Sequence, residues 1–238
     1  MKFEKADKYR DKKYMDLIMG PNPLKLTEEL LDGCDIEKNA VVCDLGSGEG
    51  LTSAFIAKEY GFKVYAADLW SEPESHLPLF KSFGLSDDEI IPVKADATDL
   101  PFEKEFFDAI ISIDSYNYFG RSDGFLDEKI LPFIKSGGYV YLAIPGMKKN
   151  LHDNLPEELL VSWTKEQLEY MQDGEYWQNL FNKSKSGKLV KITEMECTDS
   201  AWGDWVMQDN DYALGDKKAV EAGALKYLNT IAAVVKKR

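Results

Sequence analysis

Seven residues, Asp44-Leu45-Gly46-Ser47-Gly48-Glu49-Gly50, combine the types that hold a polar ligand against a main chain. Three glycines at alternate positions open backbone turns closed to other residues and let a ligand approach closely. The apolar run at 40–43 precedes them and "LTSAFIAKEYG" (51–61) follows, so the loop is expected to join a strand to a helix. A helix start offers N–H groups that have no partner within the helix. Carboxylates recur where later apolar runs end: Asp68 after "KVYAA", Asp96 after "IIPVKA" and Asp114 after "AIISI". In open α/β sheets, ligands sit outside the carboxyl ends of the strands, where such acids accept from hydroxyl and amino groups.

The spacing narrows the ligand. A dinucleotide fingerprint runs G-x-G-x-x-G/A, with the third small residue letting the helix pack on its strand. Here the glycines are Gly46, Gly48 and Gly50, and Leu51 occupies the position that should be small. Asp44 beside the loop would repel a pyrophosphate and suits a positive group instead. No Gly-Lys-[Ser/Thr] follows, which excludes a P-loop. A small cofactor carrying an ammonium and a sulfonium, S-adenosylmethionine (SAM), fits these features.

"VCDLGSGEG" resembles motif I of the class I SAM-dependent methyltransferases, and the likeness continues in order through residues 40–146. "VYAADLW" is similar to the strand after motif I, "KADATDLPFEKEFFDAIIS" to the D-A-x-x-L-P-F segment and fourth strand, and "ILPFIKSGGYVYLAIPG" to the helix, Gly-Gly turn and fifth strand. The flavour is that of the ubiquinone/menaquinone-biosynthesis-like small-molecule group. The resemblance implies roles by position. Gly46, Ser47 and Gly48 would pass beneath the methionine part of SAM, with Asp44 acting on its ammonium end. Asp68 would accept from the ribose hydroxyls, Leu69 and Trp70 would pack on the adenine, and Asp96 with Ala97 would meet its amino group. The end of the fourth strand would face the methyl group and acceptor, which makes Asp114, Tyr116 and Tyr118 catalytic candidates and Asp114 a cofactor contact too. Tyr14 and the Gly20-Pro21-Asn22 turn would fold over the cofactor. "NPPY", the signature of methyltransferases acting on nucleobase or glutamine amines, is absent. The implied reaction is in-line methyl transfer from SAM, leaving S-adenosylhomocysteine, to a small-molecule acceptor. A protein methyltransferase and a noncatalytic SAM-binding module stay open as rivals.

The elements that must position these residues follow from the hydrophobic rhythm. Strands at 40–46, 63–68, 90–96, 106–114 and 139–146 alternate with helices at 51–61, 76–85 and 123–138. That alternation predicts a Rossmann-like, doubly wound α/β fold around a mostly parallel sheet. Two further strands at 188–198 and 229–238 bring the sheet to seven, with an antiparallel strand near one edge. One domain, 1–238, is expected: N-terminal helices at 1–35, a cofactor-binding core at 36–146, and lid or substrate insertions at 147–187 and 199–227. Residues 4–19 read as one amphipathic helix, and Asn22-Pro23 as the cap and first position of the next. Met15 and Met19 read as core.

The insertions carry Trp163, Tyr170, Tyr176, Trp177, Phe181, Trp202, Trp205 and Tyr212. They are expected either to pack on the sheet or to form an aromatic pocket under an acidic lid suited to an amine or other cation. His152, at the start of the first insertion, is a candidate general base. His76, behind a Glu- and Pro-rich loop, is expected at the surface.

Composition bounds the partners. The chain of 238 residues has a formal net charge of -13 and 44% hydrophobic residues, enough for a real core. Such acidity repels phosphate backbones and anionic membrane surfaces, so neither nucleic acid nor membrane is an expected partner. No apolar run reaches membrane-spanning length, and three scattered cysteines form no framework, which fits a cytoplasmic, reduced protein. No cluster has metal-ligand spacing, so no metal is expected.

Overall fold

The computed structural model describes residues 2–238. Five parallel strands, β1 (Val41–Leu45), β2 (Lys63–Asp68), β3 (Ile90–Lys94), β4 (Phe107–Ile113) and β5 (Ile134–Met147), join β6 (Gly187–Glu194) and β7 (Leu228–Lys237) in one sheet ordered β3-β2-β1-β4-β5-β7-β6. Only β7 runs antiparallel to its neighbours, pairing β5 from Tyr139↔Lys236 to Met147↔Leu228 and β6 on its other side. The expected fold class is therefore present, antiparallel strand included. Strand β4 is buried on both faces, which explains its unbroken apolar sequence. Edge strand β6 exposes Lys188 and Lys191, charges that discourage a further strand from pairing there.

The order reverses between β1 and β4, and the cleft at the carboxyl ends opens at this switch point. Helices α1 (Lys12–Met15), α2 (Pro23–Leu30), α3 (Leu51–Tyr60) and α4 (Pro73–Ser82) come before β3. The Asn22 side chain accepts from Leu24 N–H at 3.0 Å, and Pro23 takes the first helical position of α2, as the sequence predicts. One hydrophobic cluster contains Leu24, Leu26, Phe55, Ile56 and the insertion residues Trp163, Trp202 and Trp205. The second contains Phe107, Ile110 and Tyr116 with Trp177 and Phe181.

Three elements differ from the sequence reading. The helix expected over 4–19 is a 3-10 turn, Ala6–Tyr9, followed by the single turn α1, because Asp11 between them is extended at φ -59, ψ 141. Aromatic packing decides this path: Tyr9 stacks on Phe83 at 5.0 Å and meets Tyr14 edge-on at 5.4 Å. The helix expected over 123–138 shrinks to a π turn, Leu126–Ile130, and a 3-10 turn, Leu131–Phe133. Pro132 has no N–H to continue a helix, and β5 starts at Ile134, five residues before the expected 139. The insertions are five short helices: α6 (Glu157–Leu160), α7 (Lys165–Leu168) and α8 (Gly174–Asn182) before β6, then α9 (Thr198–Trp205) and α10 (Asp211–Ala222) before β7. A further single turn, α5 (Tyr116–Phe119), follows β4.

Candidate functional site: an acidic cleft at the switch point

The loop after β1 is held from below. Gly46 and Ser47 N–H both donate to the Ala67 carbonyl of β2, at 2.8 and 3.2 Å. Gly46 stands at φ +82, and a Cβ there would lie 2.3 Å from Ser115 Oγ, so only glycine fits between β1 and the end of β4. Gly50, at φ +81, precedes α3 and abuts Phe80 of α4 at 2.9 Å from its virtual Cβ. That contact explains the third glycine at an interval no dinucleotide fingerprint uses.

Above the loop lies a cleft of about 660 Å³, within the range of small-molecule sites. Its walls include Gly46, Ser47, Gly48, Asp68, Leu69, Trp70, Asp96, Ala97, Asp114 and Tyr118, ten of the residues the sequence nominates. Leu17, Met19 and Pro23 close the N-terminal side. Four carboxylates, Glu49, Asp68, Asp96 and Asp114, line the cleft, and among the described residues no lysine, arginine or histidine does. That charge balance opposes a diphosphate and favours a cationic ligand.

Each acid keeps a distinct environment. Asp68 is 8% exposed: Oδ2 accepts from Gly48 N–H at 2.9 Å, and Oδ1 from Trp70 and Ser71 N–H at 2.8 and 3.0 Å. A carboxylate offers about four lone-pair sites, so one on Oδ2 remains for a ligand hydroxyl. Asp96 is exposed; its Oδ1 accepts from the Thr98 N–H and hydroxyl, which holds its carboxyl below the usual range and leaves Oδ2 free. Ser47 Oγ is buried with no partner in the protein, an orphan a ligand can satisfy. Leu69 and Trp70 offer exposed apolar faces, Trp70 being 86% exposed. These donors and acceptors fit a nucleoside with a cationic substituent.

Asp114 is unlike the others. It leaves β4 with φ 55, a strained conformation for a residue with a side chain. A Cβ on Gly20 would lie 2.3 Å from its Oδ2, so the N-terminal turn sits against the carboxylate. No hydrogen bond from the described residues reaches that carboxylate. Burial, and then the charge of Asp216, push its pKa up to about 8. Tyr118 lines the same wall, its phenol raised by burial and by Asp114.

Asp216 was not legible in the sequence. Its two oxygens accept from Trp163 and Trp205 Nε1, each at 2.9 Å, so one carboxylate of α10 ties the first insertion to the second. Ser162 reinforces the joint, donating to the Gly215 carbonyl at 2.7 Å and accepting from Ala219 N–H at 3.0 Å. The N-terminal helix is fastened to the same region by the Lys25–Asp204 ion pair at 2.7 Å.

Four residues nominated for the site fall elsewhere, and two other expectations are reversed. Asp44 lies beneath the cleft, 1% exposed, accepting from Ser53 Oγ of α3 at 2.6 Å. Burial pushes its pKa up to about 7, so it anchors the strand to the helix and does not touch the cleft. Tyr14 is in the aromatic cluster with Tyr9 and Phe83 and does not border the cleft. Tyr116 is 1% exposed among Phe119, Phe125, Trp177 and Phe181 and does not border the cleft. His152 bonds Asn150 Oδ1 and the Leu168 carbonyl, fixing the first insertion, and does not border the cleft either. His76 is buried at 2% exposure, contrary to the surface expectation. Met19, expected in the core, is exposed and forms part of the cleft wall. Five of the eight insertion aromatics settle as packing: Trp163, Trp177, Phe181, Trp202 and Trp205 are buried, whereas Tyr170 and Tyr176 are half-buried and Tyr212 is exposed; none of the eight borders the cleft, and the Glu157, Glu166, Glu169 and Glu175 side chains lie in solvent.

Residues 43–142 match the family model of the methyltransferase domain. Sheet order and glycine loop agree with this match: residues 43–142, less than half of the chain, are similar to a methyltransferase domain. A curated relative, a demethylmenaquinone methyltransferase of Clavibacter sepedonicus, is 38% identical over 103 residues, covering 43% of this chain and 40% of the relative. Among solved structures, geranyl diphosphate C-methyltransferase from Streptomyces coelicolor superposes with TM-score 0.70 at 12% identity, over 99% of this chain and 98% of that one. Haemonchus contortus phosphoethanolamine N-methyltransferase 2 gives 0.67 at 18%, over 100% and 60%. The [4+2]-cyclase SpnF gives 0.66 at 14%, over 90% and 80%. At such identities the likeness is one of fold, and the cyclase shows that this fold carries more than one chemistry. Among the described residues, no group of acids, cysteines and histidines is placed to hold a metal, and no helix is long and apolar enough to cross a membrane.

Proposed function

We propose that the chain transfers the methyl group of SAM to a small-molecule acceptor through the cleft above the glycine loop. The observation that carries this reading is the lining: four carboxylates, no basic side chain, and an unpartnered buried serine hydroxyl. SAM supplies a methyl group on a sulfonium that is already a good leaving group, so the protein's task is to hold donor and acceptor in line and exclude water. Asp68 takes the ribose through the free lone pair of Oδ2, and Asp96 takes the adenine amino group through Oδ2. Leu69 and Trp70 cover the base, and Ser47 with the loop amides holds the amino-acid end.

The acceptor enters from the side of Asp114 and Tyr118. Its nucleophile carries an N–H or O–H that Asp114 receives. Among the described residues no donor reaches that carboxylate, and its pKa of about 8 matches the task of taking a proton near neutral pH. An amine fits best, because a protonated amine also balances the negative charge shared by Asp114 and Asp216. SAM carrying a tritiated methyl group, incubated with the protein and a cell extract then fractionated by size, tests the reading. Label in small amines or hydroxyl compounds supports it. Label in macromolecules moves the acceptor to protein, and binding without transfer leaves a noncatalytic module.

A further inference from the structure

Helix α4 presses one buried histidine onto the glycine loop. His76 Nε2 lies 2.8 Å from the Gly48 carbonyl oxygen. A carbonyl only accepts, so Nε2 carries the proton and donates. Nδ1 of the same ring is buried without a partner. The ring packs beside Phe80, and both crowd Gly50, whose virtual Cβ would lie 3.3 Å from the imidazole.

Gly48 is thus held on both flanks, its N–H by Asp68 at the end of β2 and its C=O by His76 of α4. A trans peptide points its C=O and the following N–H in opposite directions. No cis bond occurs among the described residues, so anchoring the Gly48 C=O on His76 turns the Glu49 N–H away from α4. Glu49 lines the cleft, and no hydrogen bond of the described residues uses its N–H.

We infer that His76 is a positioning residue: it sets the Gly48–Glu49 peptide so that the Glu49 N–H faces the cleft as a donor to a carboxylate or hydroxyl oxygen of the cofactor. This rests on the reading of the cleft as a SAM site. The role is separate from that of the proton acceptor, because His76 touches neither acceptor nor reacting atoms.

Two variants of the full chain test it. His76→Leu keeps an apolar filling and removes the donor; His76→Gln restores an N–H donor. Two readouts are taken: calorimetric affinity for S-adenosylhomocysteine, and amide hydrogen exchange of residues 46–50 without ligand. Loss of the donor that anchors the Gly48 carbonyl should weaken binding about tenfold in His76→Leu and speed exchange at Gly48 by a similar factor, with the β1 amides unchanged. His76→Gln should recover both to within about threefold of the parent. Parent-like affinity and exchange in His76→Leu would overturn the inference. So would His76→Gln behaving like His76→Leu while β1 also loses protection, because that is the signature of packing alone. If the parent chain itself fails to bind S-adenosylhomocysteine, the cofactor reading fails, and the exchange of Gly48 still decides whether His76 orders the loop.

Discussion

The two halves of the cleft are built in different ways. The cofactor half comes from short, consecutive pieces: the glycine loop after β1, Asp68 to Trp70 after β2, and Asp96-Ala97 after β3. The acceptor half is assembled across the chain. Gly20 sits against Asp114, and Asp216 joins Trp163, 53 residues before it, to Trp205. Lys25 and Asn22 reach Asp204, 182 residues beyond Asn22. The first half is fixed by local geometry; the wall around Asp114, the proposed acceptor side, is backed by distant packing.

Substitutions can break that division. The largest effect is expected at Asp114. Asp114→Asn should lower kcat/KM about 10²- to 10⁴-fold, the span of general acid–base catalysis, while affinity for S-adenosylhomocysteine changes far less. With Asp114 as the proposed proton acceptor, the parent's kcat/KM should rise with pH up to about 8 and then level, and the variant should lose that rise. A parent profile flat from pH 6 to 9 would remove Asp114 from the reaction.

Asp68→Ala should act on the other half. It removes the acceptor for three loop amides as well as for the ribose, and calorimetry should show SAM binding weakened by more than about tenfold with the fold retained. Unchanged affinity would misplace the ribose.

Asp44→Asn probes stability rather than activity. Its folded pKa, about 7, lies above the usual carboxylate value, so the native state binds the extra proton between roughly pH 4 and 7. The parent therefore loses stability as pH rises through that window, and the asparagine variant does not. Denaturant unfolding should show the variant gaining on the parent by on the order of 4 kcal/mol between pH 4 and pH 8, because the carboxyl titrates at about 7 in place of about 4. A constant difference across that range would contradict the raised pKa.

The smallest effects sharpen the comparison. Asp216→Asn removes a negative charge near Asp114, so the pH–rate profile should shift to lower pH. Tyr116→Phe, in the packed core away from the cleft, should leave kcat/KM within about twofold, since a substitution without contact to the site rarely does more.

What the sequence revealed follows the same division. The strands and the acids at their ends that line the cleft were legible because apolar runs, glycines and terminal carboxylates recur at short intervals that the parallel sheet dictates. Asp44 and Tyr116 carried the right residue types at the right strand ends, yet side chains alternate across a strand and its continuation, and these two point into packing. His76 seemed a surface residue because its neighbours are Glu and Pro, and only the crowding at Gly50 shows that α4 lies down on the loop. Asp216 had no local signal at all; a tryptophan from each insertion donating to one acid is the mark of a joint that exists only once the chain has folded.

The central claim, that the acidic cleft holds a sulfonium nucleoside, is tested most directly by calorimetric titration of the parent chain and Asp68→Ala with S-adenosylhomocysteine, SAM and NAD⁺. One site per chain for both sulfur nucleosides, severely weakened in the variant, and no heat with NAD⁺ is the predicted result. Binding of NAD⁺ at that site, or sulfur-nucleoside binding untouched by loss of Asp68, would contradict it.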